Sequence, residues 1–294
     1  MAGHELPPKP AGLVIGQVRA RGSYGTVHSG ELDGKPVVVK KLHHVLLQAP
    51  HNDKLMSDFY KECRILSTIR HANVVRFIGA YWDQEAKEPL LVMEAAKENL
   101  KEFLERNKAH LCVEKQLAIS SSMAEGLRFL HEREKPIIHR DLKPENVLVW
   151  EDGTVKIGDL GQSKLLGQPQ SYMKTTQPGT VIYMPPEALR KKPSYTSKVD
   201  VFSLGAVMLE VCTQSKPSLS LVGIGTIPEV ERREDDLALL EDTHPLKPLI
   251  IWCLQDSHES RPGVKATHCQ VKLLVCCHAV GRVCSTTSCD ITSI

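Results

Sequence analysis

The chain has 294 residues, 41% hydrophobic and 24% charged, with a net charge of +2. That length suffices for one large or two small domains with their own cores, and the near-neutral balance gives no basis for binding nucleic acid or an anionic membrane surface. No apolar run approaches the roughly 18 residues of a membrane span. Residues 1–12, MAGHELPPKPAG, lack the apolar stretch of a secretory signal and read as an extended proline-rich leader. Of the nine cysteines, Cys63, Cys112, Cys212 and Cys253 fall in periodic segments as buried thiols, while Cys269, Cys276, Cys277, Cys284 and Cys289 crowd the C-terminal end. Without a signal peptide the expected compartment is reducing, and a disulfide framework is not expected.

Residues 13–40 predict three strands, opening at Leu13, Gly25 and Val37, with Asp33-Gly34 as a tight hairpin turn between the second and third. Between the first two lies Ala20-Arg21-Gly22-Ser23-Tyr24-Gly25-Thr26-Val27, in which Gly22 and Gly25 let backbone N–H groups come close to phosphates because no Cβ intervenes. Ala20 fits its place only if its φ is negative. The third strand ends Val37-Val38-Val39-Lys40. Residues 58–70 carry Phe59, Cys63, Leu66 and Ile69 at helical spacing, with Ser57 as the expected N-cap and Glu62 beside the apolar stripe. Two further strands follow in HANVVRFIGAYW and PLLVMEAA.

A short helix is expected from Asn99-Leu100 to Arg106, and a long one over 113–132 on Leu117, Ile119, Met123, Ala124, Leu127 and Leu130. It leads into IIHRDLKPENVLV, residues 137–149. Here an acid, Asp141, a cation, Lys143, and an amide, Asn146, sit at fixed offsets on a loop between apolar runs. The set suits chemistry on a phosphate: a carboxylate takes a proton, a lysine stabilises charge, an amide oxygen holds a divalent metal. A strand, Val155-Lys156-Ile157, delivers Asp159-Leu160-Gly161 after a turn at Asp152-Gly153. Residues 162–178 form a polar loop with Ser163, Ser171, Tyr172, Thr175 and Thr176. Val199–Val211 is apolar nearly all round and predicts a helix buried at the centre of a domain.

Taken in order, these stretches resemble the motifs of the protein kinase superfamily. Residues 20–27 are similar to its glycine-rich loop G-x-G-x-x-G-x-V with Ala20 for the first glycine, and Val37–Lys40 to V-A-I-K. His139–Asn146 resembles H-R-D-L-x-x-x-N, and Asp159–Gly161 resembles D-F-G. Pro185-Pro186-Glu187 stands for A-P-E, Asp200–Gly205 for D-V-W-S-F-G, and Arg261-Pro262 for the late R-P whose arginine pairs with the glutamate. HANVVRFIGAYW and YMPPEAL are similar to the tyrosine-kinase-like group of serine/threonine kinases.

The resemblance implies an α+β, two-lobed protein-kinase fold. Residues 13–96 would form a small antiparallel β lobe with one helix, and 97–275 a larger, mainly helical lobe. ATP would lie between them, and a Cys-rich tail would occupy 276–294. It implies ATP-dependent transfer of the γ-phosphoryl group to serine or threonine hydroxyls of protein substrates. Asp141, Lys143, Lys40 and Glu62 would be catalytic. Gly22, Ser23, Gly25, Val27, Val38, Lys40, Met93, Glu94, Ala96 and Leu148 would bind the nucleotide, with Met93 guarding the back pocket. Asn146 and Asp159 would hold Mg²⁺. Arg140 is expected to bind an activation-loop phosphate placed by an upstream activating kinase, on Thr175 or Thr176. The expected location is cytoplasmic, with no membrane or nucleic-acid partner. The alternatives are a pseudokinase scaffold or switch, for which Ala20 and the unfamiliar C-terminal segment speak, and a dual-specificity kinase. In the C-terminal segment, Val264, Val271 and Leu274 can begin a last helix; beyond it a disordered tail is expected, with zinc held by the cysteines, His268 and His278 as the alternative.

Overall fold

Asp33 and Gly34 both take left-handed backbone, with φ of 50° and 76°, the geometry of the two-residue turn whose twist matches that of its flanking strands. The computed structural model that shows this turn describes residues 6–21, 25–42, 52–108, 111–160, 164–165, 181–189, 196–217, 221–222, 229–230 and 234–280. The chain divides into two units, Met1–Lys97 and Glu98–Ile294.

In the first unit, β1 (Leu13–Arg21), β2 (Gly25–Leu32), β3 (Lys35–Leu42), β4 (Phe77–Asp83) and β5 (Glu88–Glu94) form one antiparallel sheet in the order β1-β2-β3-β5-β4. Leu13, Val37, Val39, Leu90 and Val92 make its core on one face. Period-2 alternation then turns Val38 and Lys40 to the other face. Ala20 lies within β1 opposite Val27 and is not among the residues of positive φ, so a side chain costs no strain there. Helix α1 spans Asn52–Ser67. Its start corrects the expected N-cap: Ser57 is an exposed residue inside the helix, because Lys54, Leu55 and Met56 before it are good helix formers with no breaker among them.

The second unit is built round α4 (Lys198–Thr213), in which every residue from Val199 to Val211 is buried. Ahead of it come β6 (Glu98–Asn99), α2 (Leu100–Arg106), α3 (Val113–His131), β7 (Ile137–Ile138), β8 (Val147–Val149), β9 (Val155–Ile157) and β10 (Lys164–Leu165). After it come β11 (Leu221–Val222), β12 (Glu229–Val230), α5 (Glu234–Ala238), α6 (Lys247–Cys253) and α7 (Val264–Ala279). A capping box starts α2: the Asn99 side chain accepts from the Glu102 N–H and the Glu102 carboxylate from the Asn99 N–H, each at 3.0 Å. Leu117, Met123, Leu127, Leu204, Val207, Leu249, Val271 and others from α3, α4, α6 and α7 share one core.

One finding qualifies the sequence reading. α7 runs to Ala279, past the tail boundary expected at 275. The His278 ring meets the Glu114 carboxylate of α3 at 2.8 Å, so the helix has a partner to its end. Residues 281–294, with Cys284 and Cys289, lie outside the described residues. Among the described residues the seven cysteines are free, and no group of three His, Cys, Asp or Glu side chains is placed to hold a metal. Burial pushes the thiols of Cys63, Cys212 and Cys253 up to about 12, with Glu62 adding to the effect at Cys63.

Candidate active site

In the first unit the strand register lines up the expected nucleotide-contacting residues. Val27 lies opposite Lys40, Lys40 opposite Leu91, and Val38 opposite Met93. Directly opposed residues share a face, so Val27, Val38, Lys40 and Met93 stand together on the face away from the unit's core. Glu62 of α1 reaches Lys40, with Oε1 3.7 Å from Nζ and both side chains 22% exposed. Glu94 is tied to the neighbouring chain: its Oε1 accepts the Arg76 N–H at 2.8 Å. Ala96 follows in a half-buried stretch. Gly25 opens β2 opposite Leu42; Gly22 and Ser23 lie outside the described residues.

In the second unit the acid, the cation and the amide of the 137–149 loop converge. Asp141 Oδ2 is 2.9 Å from Lys143 Nζ and accepts from Asn146 Nδ2 at 3.0 Å. The same Nδ2 donates to the Asp141 carbonyl at 2.7 Å. Asp141 Oδ1 is buried and has no hydrogen-bond partner among the described residues. With both Asn146 bonds made by its amide nitrogen, the amide oxygen is left to act as a ligand.

The β8–β9 hairpin brings the second expected ligand alongside. Val147 pairs with Ile157, and just beyond the ladder the Gly158 N–H donates to the Asn146 carbonyl at 2.8 Å. Asp159 is therefore next to Asn146, with its side chain exposed and a φ of 48°. Leu148, in β8, is half-buried and pairs with Lys156 and Asn99. A hard oxygen pair, one amide and one carboxylate, fits Mg²⁺, which takes few protein oxygens and fills the rest with phosphate and water.

Three groups hold this loop. The His139 ring accepts the Asp141 N–H at Nδ1, 3.3 Å, which leaves Nε2 to donate to the Gly158 carbonyl at 2.8 Å. Asp200 of α4, wholly buried, accepts the N–H groups of His139 and Arg140 at 2.7 Å each. The third bond to Asp200 comes from Nε2 of His131 in α3, also 2.7 Å. Burial alone would push the Asp200 carboxyl up; the His131 hydrogen bond, the nearby imidazoles and the Arg140 N–H outweigh it and hold the carboxyl below its ordinary range. Arg140 itself is buried with a φ of 71°.

Further off, Glu187 and Arg261 join across 74 residues through two bonds of 2.6 and 2.9 Å. Arg261 also lies over the Phe202 ring and donates to the Gln255 and Asp256 carbonyls. Ser203 donates to the Tyr183 carbonyl and Tyr183 to Glu210, at 2.8 and 2.6 Å, which fixes the stretch before Glu187 onto α4. Thr175, Thr176 and Thr180 lie outside the described residues. Sequence reasoning assigned no partner to His131 and did not connect Asp200 with the loop. The available signal was a carboxylate within an otherwise apolar, fully buried helix, which requires several hydrogen-bond donors around it.

Residues 13–271 match the model of a family described as protein tyrosine and serine/threonine kinase. The serine/threonine-protein kinase CTR1 of Arabidopsis thaliana is 34% identical over 198 residues, 67% of this chain and 23% of the relative. The G-type lectin S-receptor-like serine/threonine-protein kinase RLK1 of the same plant is 34% identical over 265 residues, 83% of this chain and 31% of the relative. The serine/threonine-protein kinase TNNI3K of Mus musculus is 32% identical over 201 residues, 68% of this chain and 24% of the relative. The chain thus spans between about a quarter and a third of the length of these relatives. With the family model matched over most of its length and such relatives beside it, the chain belongs to the protein tyrosine and serine/threonine kinase family, in its tyrosine-kinase-like group.

Proposed function

We propose that the chain is an active protein kinase that transfers the γ-phosphoryl group of ATP to serine and threonine hydroxyls of protein substrates. The observation that carries this reading is the division of labour on Asp141. One oxygen is held by Lys143 and Asn146, while Oδ1 has no partner among the described residues. A carboxylate held in this way is oriented yet keeps an oxygen for a substrate proton.

In this reading Asp141 Oδ1 takes the proton of the acceptor hydroxyl as that oxygen bonds to the γ-phosphorus and the bond to the β-phosphate oxygen breaks, releasing ADP. Lys143 stabilises the charge on the moving phosphoryl group. Lys40, steadied by Glu62, holds the α- and β-phosphates. Gly22, Ser23, Gly25, Val27, Val38, Met93, Glu94, Ala96 and Leu148 complete the nucleotide site. Asn146 and Asp159 hold Mg²⁺, which when bound neutralises phosphate charge. Ala20 does not argue for a pseudokinase, because its place in the β1–β2 ladder requires no glycine.

The serine/threonine preference rests on Lys143-Pro144-Glu145 and Thr180, which resemble the corresponding residues of serine/threonine kinases, and on the similarity to serine/threonine-protein kinases such as CTR1 and TNNI3K. An upstream kinase acting on Thr175 or Thr176 belongs to the same proposal, with Arg140 receiving the phosphate. A cytoplasmic location accords with the free thiols among the described residues; no helix among them is long and apolar enough to cross a membrane. The test is to incubate purified chain with Mg-ATP and a degenerate peptide library and to map the modified residues. Phosphoserine and phosphothreonine are expected. Phosphotyrosine in comparable amount would make the enzyme dual-specific, and nucleotide binding without transfer would make it a pseudokinase.

A further inference from the structure

The sheet of the first unit ends on β4, and the proline-rich leader lies along that edge. Pro8 forms a parallel bridge with Trp82. The Trp82 N–H donates to the Pro7 carbonyl at 2.8 Å, and the Lys9 N–H donates to the Trp82 carbonyl at 2.9 Å. Lys9 Nζ then reaches Asp83 Oδ2 at 3.2 Å, and that carboxylate is nearly wholly buried. Asp83 Oδ1 accepts the N–H groups of Glu85 and Ala86, so the latch is fixed at its sheet end.

The composition of the leader decides what this contact does. Among residues 7–10, three are proline and only Lys9 carries an N–H, and that N–H points inward to Trp82. The outer side of the leader therefore offers an incoming strand no amide donor, a known way of ending a sheet. Pro7 also has no N–H with which to continue the ladder to Ala80.

Beneath the leader, β4 is a complete pairing edge. Trp82 faces Pro89 on β5, a partner without an N–H, and turns its own N–H and C=O outward. By alternation along the strand Ala80 does the same. An antiparallel, two-fold pairing centred on Tyr81 would set Ala80 of each copy against Trp82 of the other and form four backbone bonds, the same number as the two copies' leaders make together. It would place each Asp83 opposite Gly79, so the two carboxylates would not meet.

We propose that Pro7–Pro10 is a displaceable edge strap, latched by Lys9 on Asp83, that closes β4 against pairing with the β4 edge of a second copy of this chain. Undocking the strap exposes Ala80 and Trp82 and yields a dimer through β4.

The experiment compares the full chain, a Lys9→Glu variant and a chain lacking residues 1–10. Hydrogen exchange at the Trp82 amide is measured at low concentration, and mass is measured by sedimentation equilibrium over a concentration series. The full chain should protect Trp82 and remain a monomer. Both variants should exchange Trp82 about tenfold faster or more, as expected for loss of a hydrogen bond with its cover, and should dimerise as concentration rises. Ala80→Pro added to either variant, removing an edge donor, should restore the monomer. Trp82 exchange that is unchanged by Lys9→Glu and by the deletion overturns the strap. A mass that stays monomeric in both variants, or a dimer that survives Ala80→Pro, overturns the β4 pairing.

Discussion

The carboxylate of Asp200, at the start of a helix buried on every side, accepts the backbone N–H of Arg140 at 2.7 Å, 60 residues earlier in the chain. Arg140 holds a φ of 71°, a conformation that costs a non-glycine residue about 1–3 kcal/mol and persists only where its surroundings fix it. The second oxygen of Asp200 fixes His139 and meets His131. A rigid helix thus sets the backbone of the two residues before Asp141. This positions the candidate base without touching it.

Asp200→Ala leaves two buried N–H groups and the His131 ring without their acceptor, a loss of about 3–5 kcal/mol. Thermal melting should show a large fall in Tm. Asp200→Asn, closer in shape, should keep more stability yet lower kcat more than the KM for ATP, because the loop before Asp141 loses its anchor. The pH dependence separates the charge from the shape. The folded carboxyl titrates below its ordinary value, so its contribution is fully present above the unfolded pKa of about 3.9 and is lost as pH falls through the folded one. The Tm gap between wild type and Asp200→Asn should be constant from pH 7 to about 5 and should close below about pH 4. A constant gap down to pH 3 would refute the charge-based account.

Asp141→Asn should leave the melting temperature close to wild type while phosphoryl transfer falls by roughly 10²–10⁴-fold, the scale of a lost general base. Nucleotide binding, followed by a fluorescent ATP analogue, should change little. Transfer at the wild-type rate would remove Asp141 from the assigned role.

The Lys40–Glu62 pair is partly open to water at 3.7 Å, and such pairs contribute about 0–1 kcal/mol. Lys40→Met and Glu62→Gln should therefore melt within a few degrees of wild type and yet transfer phosphate far more slowly. The double variant should be little worse than Lys40→Met alone if Glu62 acts through the lysine, which a double-mutant cycle measures.

Much of this site was legible because its parts lie on short, strongly patterned segments. Val37-Val38-Val39 announced a strand ending at Lys40, but three valines in a row do not say which face is buried, so the side on which Lys40 stands came only with the packing of Val37 and Val39. Asp152-Gly153 announced the hairpin that brings Asp159 beside Asn146. What could not be read was whatever depends on contacts across many residues. Asp200 sits in an apolar run whose pattern states only that it is buried, and its three donors come from two distant segments. The leader reads as an extended proline-rich stretch, but its docking on Trp82 depends on the strand order, which leaves β4 at the edge. Ser57 shows the limit at boundaries: a good capping residue was outvoted by the helix formers before it.

The bidentate join of Glu187 and Arg261 can be tested by removing either end. Arg261 is fully buried and makes bonds to Gln255 and Asp256 besides the two to Glu187. Its guanidinium cannot lose its proton, so Glu187→Gln leaves a charge in the core with a neutral partner. Breaking a buried pair from one side costs about 3–5 kcal/mol. Arg261→Met leaves the opposite charge, that of Glu187, buried without its partner. Each single substitution should therefore lower stability by about that amount. Arg261→Met paired with Glu187→Leu, which leaves no charge behind, should recover part of the loss. Urea melts of the four chains at one pH measure each step. If the double variant is as unstable as the sum of the singles, the join acts by shape alone and the charge argument fails.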